Sequence, residues 1–352
     1  MKSYPAYPVF RNPPEGNHLE GPIVVGSRFM WVQIHAAHAP KSPGVLHYFD
    51  IPEDGFDKAG KDIHVTTIAF DEPVGAVLAT DDPDIVIVAL ERQFFCYSLI
   101  DGSLTPYGPV VDPNPDVRLN DCRAGFDGRA YAGTMAYDCE TPIGSWGPLD
   151  PVGGFNPKIT SVKVSNGFDW TEPKTDDAGR AYRDLVYIDS KAGRIDTHDD
   201  EAAGHTESTD VWRLRHYLDD DSLGPHEVLT NLSSVASRQL SGCPVVGDGG
   251  TMGFDADGRA YFIDAEYNGA AGHVIDVETG DIVAEIAIPA VKPTSCAWVG
   301  DYLLFTTTRE GTDGLDTTDL SPELASKVAN SGNLFWCKPG DLHGRPPFQV
   351  TL

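Results

Sequence analysis

Punctuation is the feature that most constrains the fold of this chain. Short β-type runs, cut by turn clusters, recur from one end to the other. Phe-Met-Trp-Val-Gln-Ile at 29–34, Val-Leu-His-Tyr-Phe at 45–49, Ile-Val-Ile-Val-Ala-Leu at 85–90 and Phe-Phe-Cys-Tyr-Ser-Leu at 94–99 are early examples. Others follow at 185–188, 211–214, 260–263, 273–276 and 302–305. They end in Asp-Gly, Thr-Gly or Pro-Gly pairs, the local chemistry of β-hairpins. A repeat lies over this pattern. Asp127-Gly128-Arg129-Ala130-Tyr131 resembles Asp257-Gly258-Arg259-Ala260-Tyr261, each a tight turn leading into a strand. A third copy, Gly179-Arg180-Ala181-Tyr182, reads as partly coincidental, because the better strand signal starts at Leu185. The segment 321–329 reads as helical, with Ser-Pro-Glu as cap and first turn. Strand–turn–strand units repeated at such spacings predict an all-β radial array, and a propeller closes one without leaving long free edges.

Composition removes several alternatives. The 352 residues can bury a large core without disulfides, and no linker divides them, so the expectation is a single domain over 1–352. With 53 acidic against 26 basic residues the formal charge is −27, a surface that repels phosphate backbones and anionic lipids. Nucleic acid and membrane partners are therefore not expected. A solvated acidic surface accounts for most of those carboxylates; a few gathered around a cation would be compatible with it. Cys96, Cys122, Cys139, Cys243, Cys296 and Cys337 form no CxxC pair or zinc spacing and read as scattered, mostly reduced core thiols. The N-terminal stretch has no apolar signal core, and no run approaches the ~20 apolar residues of a membrane span. A cytoplasmic location is the default expectation. Asn231-Leu232-Ser233 fits a glycosylation triplet, a pattern common by chance. Neither a Gly-x-Ser-x-Gly elbow nor a Rossmann or P-loop glycine pattern is present.

Five segments carry chemistry in a recognisable order. They are His18-Leu19-Glu20-Gly21-Pro22; Arg118-Leu119-Asn120-Asp121, followed by Ala132-Gly133-Thr134-Met135; Ser165-Asn166-Gly167; Asp248-Gly249-Gly250-Thr251-Met252; and Lys292-Pro293-Thr294-Ser295, followed by Gly332-Asn333-Leu334-Phe335. From about 20 to 335 the chain resembles the regucalcin, gluconolactonase and luciferin-regenerating enzyme family.

The resemblance implies a six-bladed β-propeller with one divalent cation on its axis. It puts metal ligands at Glu20 and Asn166, with a third in a later Asp-Gly. It also puts substrate contacts at Arg118 and Asn120, and a further acid at Asp138. Six blades would take about 59 residues each, more than the ~40–45 of minimal blades. Long insertions are therefore expected near 138–158 and 196–248, with Ser145-Trp146-Gly147-Pro148 a speculative lid. The family's Asp-Gly directly precedes Met, whereas Gly250-Thr251 occupies that slot here. The nearest acid is Asp248, and a bulge at Gly249-Gly250 would be needed to bring it to the axis.

A donor set of carboxylates and an amide suits a hard cation. Ca²⁺ leads, while Zn²⁺, Mg²⁺, Mn²⁺ and Fe²⁺ also accept such ligands. The expected activity is hydrolysis of a sugar lactone or similar small cyclic ester. Asp248 would be ligand and base, and Arg118 and Asn120 would orient the substrate. Two alternatives stay open: another ester class such as organophosphates, and a binding propeller with a degenerate metal site. Bland readings stand beside these: Glu20 as a turn acid, Asn166 as a left-handed turn residue before Gly167, Arg118 as an inter-blade ion pair and Asp138 as loop surface. Asp121, Asp169 and Asp189 read as structural acids. His198 and His205 fall in a polar loop that reads as solvated rather than as a second metal site.

Overall fold

The computed structural model describes residues 1–352 except 12–16, 36–40, 59, 192–193, 198–200, 204–209, 233–234, 236–237 and 241–244; of 194–197 and 201–203 it describes only the backbone. His198, His205, Ser233 of the glycosylation triplet and Cys243 lie outside the described residues, as does part of the predicted insertion at 196–248. The other five cysteines are free thiols. No described helix is long and apolar enough to cross a membrane.

Six antiparallel sheets follow one another along the chain. Their innermost strands are Leu19–Val25, Val74–Ala79, Val117–Ala124, Ser165–Trp170, Val246–Phe254 and Pro293–Val299, and they begin blades 1 to 6. Each blade then meanders outward; blade 1, for example, continues through Arg28–Gln33, Val45–Asp50 and Thr66–Ala69. A strand with one face on each neighbouring blade must be apolar on both. This is why Val74–Ala79 and Ala130–Ala136 are buried at every position. The core divides the same way, into six apolar clusters, each filling one gap between neighbouring blades. The six-bladed propeller expected from the resemblance is what the chain forms.

The ring is closed by residues remote in sequence. Lys2–Pro5 adds a parallel outer strand to Ile282–Ala287 of blade 5, and Tyr7–Pro8 pairs with Phe335–Cys337 of blade 6. At the other end of the chain, His343 bridges to Phe254 of blade 5, Val350 to Thr80 just after the first strand of blade 2, and the Thr351 N–H donates to Gly128 O in the first turn of blade 3. This strap lies across one mouth of the ring. From it the Arg345 guanidinium reaches inward and donates to Asp169 and, at 2.7 Å, to Trp170 O.

Several local expectations need correction. The third Gly-Arg-Ala-Tyr is a full member of the repeat. The three turns close in the same way: the N–H groups of Gly125, Asp176 and Asp255 donate to Arg129, Arg180 and Arg259 O at 2.8, 3.0 and 3.1 Å. The turn glycines Gly128, Gly179 and Gly258 share φ near +80°, and the strand after the middle turn begins at Ala181. The predicted insertion at 138–158 is mostly blade: Gly144–Asp150 is the third strand of blade 3, and Trp146 is fully buried between blades 3 and 4, so 145–148 is no lid. The 196–248 segment supplies the outer strands Asp210–Tyr217 and Leu223–Asn231 of blade 4. The helix runs Pro322–Asn330, with Ser321 capping the Leu324 N–H.

Candidate active site

The axial site rests on six local irregularities. In every blade a bulge interrupts the ladder between the first and second strands: after Glu20, Val74, Leu119, Asn166, Gly247 and Pro293. A bulge bends the strand and re-aims consecutive side chains. Glycines let the bulged backbones touch. A Cβ on Gly167 would lie 2.6 Å from Asp248 O, one on Gly75 2.6 Å from Leu119 O, and one on Gly249 2.2 Å from Ser295 Oγ. The six bulges therefore lie against one another around the axis, and the anomaly at Gly249-Gly250 is one member of this set.

On one side of that layer is a cavity lined by His18, Glu20, Arg118, Asn120, Met135, Cys139, Val164, Asn166, Ser190, Lys191, Val246, Asp248, Tyr267 and Glu310. Glu20, Asn166, Asp248, Arg118 and Asn120, singled out from the sequence, come together here. Asn166 lies within an innermost strand, not at a turn. Asp138 does not join them. It is exposed, and its carboxylate accepts from the Glu140 and Thr141 N–H groups, both at 2.8 Å, and from the Thr141 hydroxyl at 2.5 Å. Its neighbour Cys139, held at φ +57°, faces the cavity instead. Asp121, Asp169 and Asp189 lie off this cavity. Asp189 accepts from the Lys163 and Val164 N–H groups, and Asp169 pairs with Arg123 and Arg345 on the strap side.

A hydrogen-bond chain ties three blades together behind the donors. Arg118 Nη1 donates to Asn120 Oδ1 at 2.7 Å, and Asn120 Nδ2 to Asn166 Oδ1 at 2.8 Å and to Ser165 O at 2.7 Å. Asn166 Nδ2 donates to Ser190 Oγ at 2.6 Å, and Ser190 Oγ to Gly247 O at 2.7 Å. Both N–H bonds of Asn120 are thus taken, so it positions Asn166, and Arg118 keeps its other N–H groups for the cavity. The sequence reading missed the functional part of His18, Ser190 and Glu310. His18 stood inside a quoted motif; Glu310 had no motif to mark it.

The charges are consistent with a cation at this place. Burial, and then the charges of Glu20, Asp121, Glu310 and Asp264, push the Asp248 carboxyl well above the usual carboxylate range, and no described residue donates a hydrogen bond to it. Burial alone would lower His18, but its contacts with Glu20 at 3.8 Å and Glu310 at 3.1 Å raise it to about 9. The bond from His18 holds Glu310 down at about 2 despite burial. Asp248 and Glu20 offer carboxylate oxygens. The Asn166 Oδ1 has a second lone pair beyond the one Asn120 uses. Three oxygen donors from three blades fit a hard divalent ion.

Against known proteins, the model described as SMP-30/Gluconolactonase/LRE-like region matches residues 20–309. Regucalcin of Xenopus laevis is 28% identical over 259 residues, 72% of this chain and 74% of that protein. Among solved structures, a calcium-binding regucalcin from Agrobacterium tumefaciens superposes with TM-score 0.68 at 19% identity, covering 100% of both chains. A luciferin-regenerating enzyme superposes with TM-score 0.69 at 19% identity over 96% of this chain and 97% of the other. With the fold, the order of the motifs and the match over most of its length in agreement, this chain belongs to the SMP-30/gluconolactonase/LRE-like family.

Proposed function

We propose that this protein is a divalent-metal-dependent hydrolase that opens a lactone or similar small cyclic ester in the axial cavity. The observation that carries the reading is the convergence of Glu20, Asn166 and Asp248 on one cavity beside Arg118, each delivered by a bulge of a different blade. The family's gluconolactonase members give the reaction class, and the calcium-binding Agrobacterium regucalcin supports Ca²⁺ as the ion.

Glu20, Asn166 and Asp248 would hold the cation. When bound, it polarises the ester carbonyl and acidifies water. The chain's own residues do the rest. Asp248, unencumbered by donors, accepts the proton of the attacking water. Arg118, desolvated and anchored through Asn120, points its remaining N–H groups at the oxygen on which negative charge develops. His18, held by Glu310, supplies a charged N–H at the rim of the cavity. Met135, Val164 and Val246 form an apolar wall that limits water around the ring. A purely binding role draws its support from the displaced Asp-Gly, whereas the bulge at Gly247–Gly250, with Asp248 on the cavity, supports the catalytic reading.

The test is proton release from a panel of aldono-lactones and simple γ- and δ-lactones, using chelator-stripped protein with each divalent metal added back. Metal-restored hydrolysis of one lactone far above background is expected. A flat response with every metal, from protein shown to be folded, would sink the reading.

A further inference from the structure

Blade 5 carries a second group of metal-ligand side chains, and the axial chemistry uses none of them. On the face of the blade turned toward blade 4, Phe262 and Ile275 pack against Val186, Ile188 and Val211. Alternation along Ala260–Tyr267 puts Asp264 and Glu266 on that same face. The register that pairs Ile263 with Val274 and Glu266 with Ala271 puts His273 opposite Asp264. Each of the three is 0% exposed.

Their polar atoms are unmatched. Asp264 Oδ1 accepts the His273 backbone N–H at 2.7 Å. Among the described residues, Asp264 Oδ2, both Glu266 oxygens and both His273 ring nitrogens have no hydrogen-bond partner. Buried polar groups in native proteins are almost always satisfied, so an unmatched set this dense points to something held between them. His273 Nδ1 lies 3.7 Å from Asp264 Oδ1 and 3.8 Å from Glu266 Oε2. Those separations are too long for hydrogen bonds. They match two ligands sharing one ion, since metal–ligand bonds of ~2.0–2.3 Å at tetrahedral angles set donors roughly 3.3–3.8 Å apart. The hairpin after Glu266 makes room for its carboxylate: a Cβ on residue 269, which is glycine, would fall 2.2 Å from Glu266 Oε2. Glu285, the half-buried register partner of His273, adds a third carboxylate at the edge.

We propose that Asp264, Glu266 and His273 form an interior cation site, separate from the axial one, that takes a divalent ion of the zinc class and fastens the blade 5 hairpin against blade 4. One imidazole with two carboxylates is a donor set that zinc accepts readily and that calcium, which prefers oxygen throughout, does not. Among the described residues no three such groups already converge at bonding distance of one point. Closing the set takes rotation of Glu266, whose two oxygens nothing holds.

The experiment uses a full-length variant with the axial donors removed, Glu20→Gln with Asp248→Asn, stripped with chelator and then dialysed against Zn²⁺. Elemental analysis should find one equivalent of zinc, and the thermal midpoint should rise by about 2–5 °C. Adding Glu266→Gln and His273→Gln should abolish both effects. If the axial variant holds no zinc and its midpoint does not move, the trio holds only water or protons and the proposal fails. Zinc retained after the second pair of changes would place it elsewhere and overturn the proposal equally. The first arm leaves the trio intact, so a folding defect in the second cannot obscure the answer.

Discussion

Gly167→Ala tests whether the ring of bulges, and not merely the identity of the ligands, makes the axial site. Gly167 follows Asn166, and a Cβ there would lie 2.6 Å from Asp248 O, 2.7 Å from Gly250 N and 2.9 Å from Gly249 C. All three are backbone atoms, so no side-chain rotation relieves the contact. To restore separations of 3.0–3.4 Å the two strands must part by roughly 0.4–0.8 Å, in an interior packed as densely as an organic crystal. Overpacking of this kind costs ~1–3 kcal/mol, which for a chain of this length is a fall of roughly 1–4 °C in thermal midpoint. The same movement separates Asn166 from Asp248 by several times the ~0.2 Å that a metal site tolerates. Metal affinity, measured by titration of stripped protein, should therefore drop at least tenfold, and lactone hydrolysis with it. Gly179→Ala is the control. It places a side chain at φ +83° with nothing within 4 Å, so it should lower stability and leave metal affinity unchanged. If Gly167→Ala binds metal as the wild type does, the close approach of these strands does not set the site, and the argument from the bulges is wrong.

Glu20→Gln and Asn166→Ala should each lose the axial metal on elemental analysis of chelator-exchanged protein; stoichiometric axial metal in both would remove these residues from the ligand set. Asp138→Ala should lower the thermal midpoint slightly, through its turn, and leave the KM for any lactone within about twofold; a tenfold rise in KM would show that it reaches substrate after all. Arg345→Ala should cost about 2 kcal/mol in urea unfolding, less than the loss of a lone buried pair because Arg123 still faces Asp169 at 3.0 Å. Burial alone would raise Asp169, but the charges of Arg345 and Arg123 and two backbone N–H groups bring it below the ordinary range. A depressed carboxyl contributes stability above its unfolded pKa of ~3.9 and loses it as pH falls through the folded value. The gap between wild type and Arg345→Ala should therefore be full at pH 7 and shrink toward pH 3. A gap independent of pH would assign the loss to packing against Phe348 instead.

What the sequence revealed and what it hid divide along physical lines. Hairpin chemistry is local, so Ile85–Leu90 reads directly and the helix falls within a residue of its prediction. Glu20 and Asn166 were legible through their motifs. Asp248 was legible only with a bulge that its two glycines permit, and five further bulges around the axis carry no comparable mark. The turn at Gly179 was discounted because the better strand signal starts at Leu185, with Ala181-Tyr182-Arg183-Asp184 a weak one. Its pairing with Asp210–Tyr217 overrides that weak propensity. Trp146 was assigned to a long insertion because about 59 residues per blade exceed a minimal blade, yet burial between two blades keeps it in a strand. Asp138 was placed by alignment alone; its carboxylate instead caps the turn at Glu140 and Thr141, where Cys139 has φ +57°. Ring closure could not be seen at all: Lys2–Pro5 and Tyr7–Pro8 are short and proline-bearing, and become strands only through partners roughly 280 to 330 residues away.

That closure has a kinetic meaning. Joining residues 2–8 to 282–337 ties a loop around the whole molecule. Loop-closure entropy grows only by ~0.6 kcal/mol per doubling of length, so the long span adds little to the equilibrium cost. It adds far more to the waiting time, because contacts so distant in sequence form late. Hydrogen exchange should register the asymmetry: the amides of Lys2–Pro5 and their partners in Ile282–Ala287 are expected to open together and well before those of the central strands. The molecule then comes apart as a clasp unfastens, at one seam first, with the other five gaps still packed.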